Sequence, residues 1–204
     1  MQEIIVATGN KGKLREIGEL LFDLPVTLSS LADYWNPIPV IPETGSTFLE
    51  NALQKAAWVF SQKSVEGKNR WILADDSGLE VDALGGMPGI RSARFDGENA
   101  DYEANNRKLM KLLEGIAPER RTARFTCVVA LCTSADSYFS AVGTCEGTIG
   151  FAPRGVKGFG YDPLFIPAGF SRTFAELEPE EKHAISHRGK ALKKVKNHCY
   201  ELLG

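Results

Sequence analysis

Apolar positions along the chain change their spacing several times, and each change marks a structural element. EIIVA (3–7) is a short β-branched run, and after the polar TGNKGK (8–13), Leu14, Ile17, Leu20 and Leu21 recur at helical steps. That switch predicts a strand, a tight glycine loop and a helix. VTLSSL (26–31) predicts a second strand, while Pro37, Pro39 and Pro42 exclude regular helix, since each lacks an N–H and restricts its predecessor. Thr47 opens a T-x-x-E capping box with Glu50, and Phe48, Leu49, Ala52, Leu53, Ala56 and Phe60 predict a helix to about Ser64. WILA (71–74) reads as a strand that ends at Asp75 and Asp76. Residues 85–89 are a glycine-rich loop, and Leu109, Leu112 and Leu113 predict a helix over 100–114. RFTCVVALC (124–132) and YFSAVGTCEG (138–147) read as an antiparallel pair. The last helix carries Ala191, Leu192, Val195, Cys199 and Leu202 on one face.

No repeat, low-complexity stretch or composition break marks a linker. The order is α/β at both ends with a β-rich centre. It predicts one α/β domain over residues 1–204, with a mixed sheet flanked by helices and two lobes around a central cleft.

Composition narrows the class. Hydrophobic residues at 43% and charged residues at 25% are ordinary for a globular chain, which excludes disorder and fibrous repeats. A net charge of -2 argues against nucleic acid as a partner, because such partners call for a basic excess. Cys127, Cys132, Cys145 and Cys199 form no C-x-x-C pair, which suits a reducing compartment. The start MQEIIVAT lacks the basic n-region and apolar core of a signal peptide, and no apolar run approaches the roughly 20 residues that span a bilayer. The expectation is a cytoplasmic protein with no membrane partner.

Five stretches could carry chemistry. TGNKGK lies where a strand feeds a helix, a place that favours an anion such as phosphate. It is not a Walker A loop, since Gly9 and Gly12 are too close and Leu14 follows Lys13; an ordinary turn with exposed lysines is the plain alternative. In ADDSG, adjacent carboxylates point to opposite sides if the strand continues, and near a phosphate their oxygens suit Mg²⁺. D-D-S-G is equally good turn chemistry. Glu43 could add a metal oxygen from the proline-rich loop, or be a solvated loop acid. Lys55 lies one residue outside the apolar helix face, a position more often solvated than functional. GFGYDP (158–163) could hold an aromatic against a flat ligand or cap a core edge. Finally, EEKHAISHRGKA (180–191) gathers Lys182, His183, His187 and Arg188, with Ser186 as an N-cap candidate and Arg188 offering a planar donor fork. No nucleophile with a base can be named, and the cysteines have no metal-ligand spacing, so acyl transfer and zinc chemistry are weak readings.

Taken together, TGNKGK, ETGSTFLENA with Lys55, ADDSGLEVDALGGMPGIRSARF, GFGYDPLF and EEKHAISHRGKAL stand in an order that resembles the inosine triphosphate pyrophosphatase family, the HAM1-like dITP/XTP pyrophosphatases. The resemblance runs from residue 3 to about residue 195. It implies Mg²⁺-dependent hydrolysis of ITP, dITP and XTP to the monophosphate and pyrophosphate, which cleanses the nucleotide pool, on an elongated fold that usually forms a homodimer. By position it implies that Thr8, Asn10, Lys13, Lys55 and Lys182 contact the phosphates, with Gly9, Lys11 and Gly12 completing the binding loop. Asp76 would be metal ligand and proton acceptor, and Asp75 and Glu43 would support the metal and the attacking water. Ser77 would lie against the substrate. Phe159 would stack on the purine, Gly160, Tyr161 and Asp162 would line the same pocket, and His187 with Arg188 would read the base edge.

Hypoxanthine and xanthine present a 6-oxo acceptor where adenine presents an amino donor, so a donor such as Arg188 pairs with the first two and is left unpaired by the third. Guanine shares the 6-oxo group, and its rejection must rest on the 2-amino position. Two departures stand out: DYWNPIPVIP (33–42) matches no family motif, and Tyr161 stands where some relatives carry tryptophan. One rival reading is a Maf-like pyrophosphatase of pyrimidine or modified nucleotides, whose N-terminal loop carries serine, proline and paired arginines, unlike TGNKGK. Another is a nucleotide sensor without catalysis, which would lack at least one metal carboxylate, whereas Glu43, Asp75 and Asp76 are all present.

Overall fold

The structure, a computed structural model, describes residues 1–65, 70–98 and 100–204. In chain order its elements are β1 (Gln2–Val6), α1 (Lys11–Leu20), β2 (Val26–Ser30), α2 (Phe48–Phe60), β3 (Arg70–Val81), α3 (Tyr102–Leu112), β4 (Thr122–Cys132), β5 (Tyr138–Ile149), β6 (Phe165–Pro167), α4 (Pro179–Ile185) and α5 (His187–Leu203), with short 3-10 turns between several of them. The strands form one mixed sheet in the order β2-β1-β3-β4-β5-β6. β1 runs parallel to both β2 and β3, while β5 and β6 are antiparallel. Parallel neighbours need crossover connections, and α1 and α2 supply them. The expected mixed α/β sheet flanked by helices is therefore present.

Several boundaries differ from the sequence reading: α3 is Tyr102–Leu112 rather than 100–114, and β5 runs on to Ile149. α2 stops at Phe60, with Ser61 as its C-cap, rather than near Ser64. More consequentially, β3 does not end at the aspartates but continues through them to Val81. The turn chemistry of D-D-S-G yields to sheet pairing, and Gly78 makes room for the neighbouring loop: a Cβ there would lie 2.2 Å from the Gly89 carbonyl oxygen. β6 and α4 went unread because three and seven residues are too short to show a period.

The chain divides into two compact units. The first comprises Met1–Asp76, Cys127–Gly143 and Lys190–Gly204. β1 and the first half of β3 are apolar on both faces there, as buried parallel strands should be. Ile4, Val6, Trp71, Leu73 and Val129 pack with Ile17, Leu21, Leu192 and Val195 on one side. On the other, Ile5, Ala7, Ile72, Ala74 and Ala130 pack with Ala52, Ala56 and Val59. Each fully buried Ile or Leu contributes about 1.5–3 kcal/mol.

One polar network ties this unit's sheet edge together. Glu3 accepts from Ser29 Oγ (2.6 Å), from the Tyr34 hydroxyl and from Arg70 Nε (2.7 Å). Burial would raise the Glu3 carboxyl, but the Ser29, Tyr34 and Arg70 hydrogen bonds together with the Arg70 charge outweigh it and hold it below its ordinary value of 4.5. A depressed folded pKa contributes stability that is present above the unfolded value and lost as pH falls through the folded one. Glu3→Gln is therefore expected to cost about 1 kcal/mol at neutral pH. The gap to wild type should close as urea titrations are taken well below pH 4.5. An undiminished gap in acid would contradict the ion-pair account.

The second unit comprises Ser77–Thr126 and Thr144–Gly189. Leu79, Val81, Leu109, Leu113, Tyr161, Phe165 and Phe174 form its core around Phe125. The Phe125 ring meets Phe165 edge-on at 4.8 Å and stacks on Phe174 at 5.9 Å. All four cysteines of the chain are buried and none forms a disulfide. Burial pushes the Cys132 and Cys199 thiols up to about 11, which makes them poor nucleophiles. Among the described residues no helix is long and apolar enough to cross a membrane.

Candidate active site

Because β3 continues as a strand, Asp75 and Asp76 leave it on opposite faces. Asp75 shares the side of Trp71 and Leu73. There Lys13 of α1 places Nζ 3.1 Å from Asp75 Oδ2, and the Cys127 thiol points at the same oxygen from 4.0 Å. Asp76 shares the side of Ile72 and Ala74, under α2. Lys55 Nζ lies 3.7 Å from Asp76 Oδ1 and 2.8 Å from Glu43 Oε1, and Asn51 Nδ2 donates to Asp76 Oδ2 at 2.9 Å. The structure thus gathers Glu43, Asp76 and Lys55, and sets Asp75 with Lys13.

Electrostatics follow from burial. Asp76 is 5% exposed, and desolvation raises its carboxyl above the ordinary aspartate value despite Lys55, Lys13 and the Asn51 amide. Burial opposes the charge on Lys55 too, yet Asp76, Asp75 and Glu43 more than offset it and raise the ammonium's pKa. Of the two readings open for Lys55, a solvated position and a binding role, the solvated one does not hold: it is 5% exposed. Single-helix periodicity cannot register a partner delivered by another strand.

The glycine loop is more closed than its sequence suggests. Asn10 caps α1, its Oδ1 accepting from the N–H groups of Gly12 (2.9 Å) and Lys13 (3.1 Å), and Thr8 Oγ1 accepts from the Asn10 N–H at 3.2 Å. Those helix-terminal donors are engaged, so what Lys11 and Lys13 offer an anion is chiefly ammonium charge. Gly9 and Lys11 are exposed.

Residues of the 2nd unit form a separate group. Arg188 is 2% exposed; its Nη2 donates to Ser77 Oγ at 2.8 Å, and its guanidinium carbon lies 5.7 Å from the centre of the Phe159 ring. Lys182 Nζ meets Asp162 Oδ2 at 2.6 Å and lies 5.2 Å from the Phe159 ring centre. Asp162 Oδ2 also accepts from the Phe159 N–H at 2.8 Å, closing the turn. Gly158 is needed there: its φ is +75°, and a Cβ would stand 2.0 Å from Asp162 Oδ2. Gly160 hands its carbonyl to Asn106 Nδ2 at 3.0 Å. Ser186 Oγ accepts from the Gly189 N–H at 3.0 Å, the N-cap geometry expected for the last helix.

Three of these residues have partners that the sequence does not show. Lys182, expected among the phosphate contacts, pairs with Asp162 beside the Phe159 ring. Tyr161, expected to line a pocket, is a core residue at 4% exposure whose hydroxyl donates to the Ser92 carbonyl at 2.9 Å, and burial raises its pKa. His187 stacks on Phe125 at 4.6 Å with rings 9° apart, which fixes it in the aromatic core. Asn51, Asn106 and Ser92 were missed altogether. Asn51 had a signal: it stands one helical turn before Lys55, on the same face of α2.

Glu43 and Asp76 converge on one cation, and their oxygens suit Mg²⁺, which usually takes one or two carboxylates together with substrate phosphates. Among the described residues no group of three His, Cys, Asp or Glu side chains gathers as a protein-only metal cage.

Comparison with known proteins places these residues in a wider set. The model of the Ham1 family matches residues 4–198. A Geobacter sulfurreducens protein named dITP/XTP pyrophosphatase is 50% identical over 198 residues, 97% of this chain and 96% of that protein. A Geobacillus kaustophilus protein of the same name is 46% identical over 204 residues, covering 100% and 97%. The solved structure of a HAM1 protein from Coxiella burnetii superposes with a TM-score of 0.86 at 41% identity, covering 98% and 100% of the two chains.

Proposed function

The chain belongs to the Ham1 family, and from that membership we propose that it hydrolyses deaminated purine nucleoside triphosphates, ITP, dITP and XTP, to the monophosphate and pyrophosphate. The observation that carries the reading is the cluster of Lys55, Asp76 and Glu43, which supplies a fixed cation, a buried carboxylate of raised pKa and hard oxygen donors. Phosphoryl hydrolysis asks for little else, since positioning and charge neutralisation do most of the work.

In this reading Lys13 and Lys55 neutralise phosphate oxygens, with Thr8 and Asn10 shaping the loop beside them. Water attacks the phosphorus next to the nucleoside; the new P–O bond forms as the bridging bond breaks, and pyrophosphate leaves. Asp76 takes the proton of that water. Glu43 and Asp76 would hold Mg²⁺, with Asp75 supporting from the opposite face through Lys13. Mg²⁺ there would neutralise phosphate charge and lower the pKa of water. The second unit's group handles the base: Phe159 stacks, Arg188 donates to the 6-oxo oxygen, and Lys182 adds charge beside the same ring. Ser77 orients the Arg188 fork, and Asp162 holds Lys182. His187 and Tyr161 act as supports from the core. The enzyme works as a homodimer in the cytoplasm, where buried thiols outside any disulfide are at home.

A panel of ITP, XTP, dITP, GTP, ATP and dTTP, with pyrophosphate distinguished from orthophosphate, tests the assignment. Turnover of the first three to pyrophosphate is expected, with weak activity on the others. Orthophosphate as the only product would sink the reaction type, and preferential turnover of dTTP would sink the base assignment.

A further inference from the structure

We infer that Asn51 is a positioning residue, whose amide holds the Asp76 carboxylate and the Glu43 loop in one fixed geometry. The inference rests on the reading of Asp76 as proton acceptor and metal ligand, and adds what keeps it in place.

Asn51 is 1% exposed and both ends of its amide are used. Nδ2 donates to Asp76 Oδ2 at 2.9 Å, while Oδ1 accepts from the Gly45 N–H at 2.8 Å. A backbone N–H needs an acceptor and a carboxylate needs a donor, so the amide has only one satisfactory orientation. It therefore makes the two Asp76 oxygens unequal. Oδ2 accepts from the amide, and Oδ1 faces Lys55 at 3.7 Å.

The other end acts on the loop. Gly45 stands two residues after Glu43, and a Cβ there would lie 2.6 Å from Glu50 Cβ and 2.8 Å from Asn51 Oδ1. The loop is thus pressed against the first turns of α2. A separate bond, from the Thr44 N–H to Gln54 Oε1 at 2.9 Å, ties the same loop to the helix without touching Asp76. Asparagine is a poor residue for a helix interior, because its side chain competes with the backbone for hydrogen bonds. At this position its side chain is committed to two partners outside the helix. Groups that orient metal ligands in this way typically matter by 10- to 100-fold in affinity or activity.

Two substitutions separate the bonds. Asn51→Asp keeps an acceptor for Gly45 but has no donor for Asp76; Asn51→Leu removes both. Both are expected to lower kcat for ITP about 10- to 100-fold while KM moves less than about threefold. Asn51→Leu should also weaken Mn²⁺ binding to the nucleotide-free protein, followed by electron paramagnetic resonance, by about tenfold or more. Gln54→Leu, which loosens only the loop, should leave kcat within about threefold. Asp76→Asn is run alongside. If Asp76→Asn turns over ITP normally, the reading of Asp76 falls. If Asp76→Asn is inactive while Asn51→Asp keeps the wild-type kcat, or Asn51→Leu binds Mn²⁺ as tightly as wild type, the positioning role of Asn51 alone is overturned.

Discussion

Asp76→Asn is expected to lower kcat for ITP by about 10³-fold and to leave the protein folded, with its thermal midpoint within a few degrees of wild type. The size follows from what a positioned proton acceptor contributes, roughly 10²–10⁴-fold. Asparagine matches aspartate in shape, and its carbonyl oxygen can still accept from Asn51 Nδ2, so the hydrogen bond from α2 survives. What is lost is the charge. Lys55 keeps Glu43 at 2.8 Å, so its ammonium does not become a buried charge with no counter-ion. The proton-accepting oxygen and one metal donor disappear together. The two losses are separable, because a missing metal ligand shows as weaker Mn²⁺ binding and a missing acceptor as slow turnover at saturating metal. A variant with wild-type kcat at saturating Mg²⁺ would remove Asp76 from the chemistry. Asp75→Asn supplies the contrast: it faces Lys13 on the other side of β3, and its loss should act mainly by leaving Lys13 without its 3.1 Å partner.

That contrast also shows what the sequence could and could not convey. The strand, loop and helix of residues 2–20 were legible because their apolar positions switch cleanly from a continuous run to a helical stripe. The opposite orientation of Asp75 and Asp76 was legible only as a conditional, since it depended on β3 continuing. Local turn chemistry argued that it would stop, and pairing in the sheet with β4 decided otherwise. The burial of Lys55 was hidden for a related reason. A helical stripe records which face is apolar, and a buried lysine whose counter-charges come from a loop and a distant strand looks like a surface residue. Asn51 was legible only in its place one turn before Lys55: its partners are a backbone N–H and a carboxylate that only the fold brings to α2. Lys182 and Tyr161 were read from their place in motifs, and a motif does not say which way a side chain faces. Tyr161 turned into the aromatic core because its ring completes the packing around Phe165 and its hydroxyl found the Ser92 carbonyl.

The base-reading role of Arg188 predicts a change in selectivity rather than in rate alone. Arg188→Lys should lower the ratio of kcat/KM for ITP over ATP by about 10²-fold, almost all of it by loss on ITP. A hydrogen bond to a charged donor contributes about 1.5–3 kcal/mol, which corresponds to roughly 10- to 150-fold. The full discrimination available to a buried polar mismatch is about 10⁴–10⁵, so lysine should erase part of it. Lysine keeps a cation near Phe159 but loses the planar fork, whose Nη2 is held by Ser77 Oγ at 2.8 Å. It is preferred to alanine because Arg188 is among the largest fully buried side chains, and truncation would leave a cavity that confounds folding with recognition. Ser77→Ala then isolates orientation: the fork remains, its anchor does not, and the ITP-to-ATP ratio should fall less than with Arg188→Lys. Equal slowing of ITP and ATP in Arg188→Lys would show that the guanidinium serves packing beneath Phe159, and the 6-oxo group would have to be read by Lys182 instead.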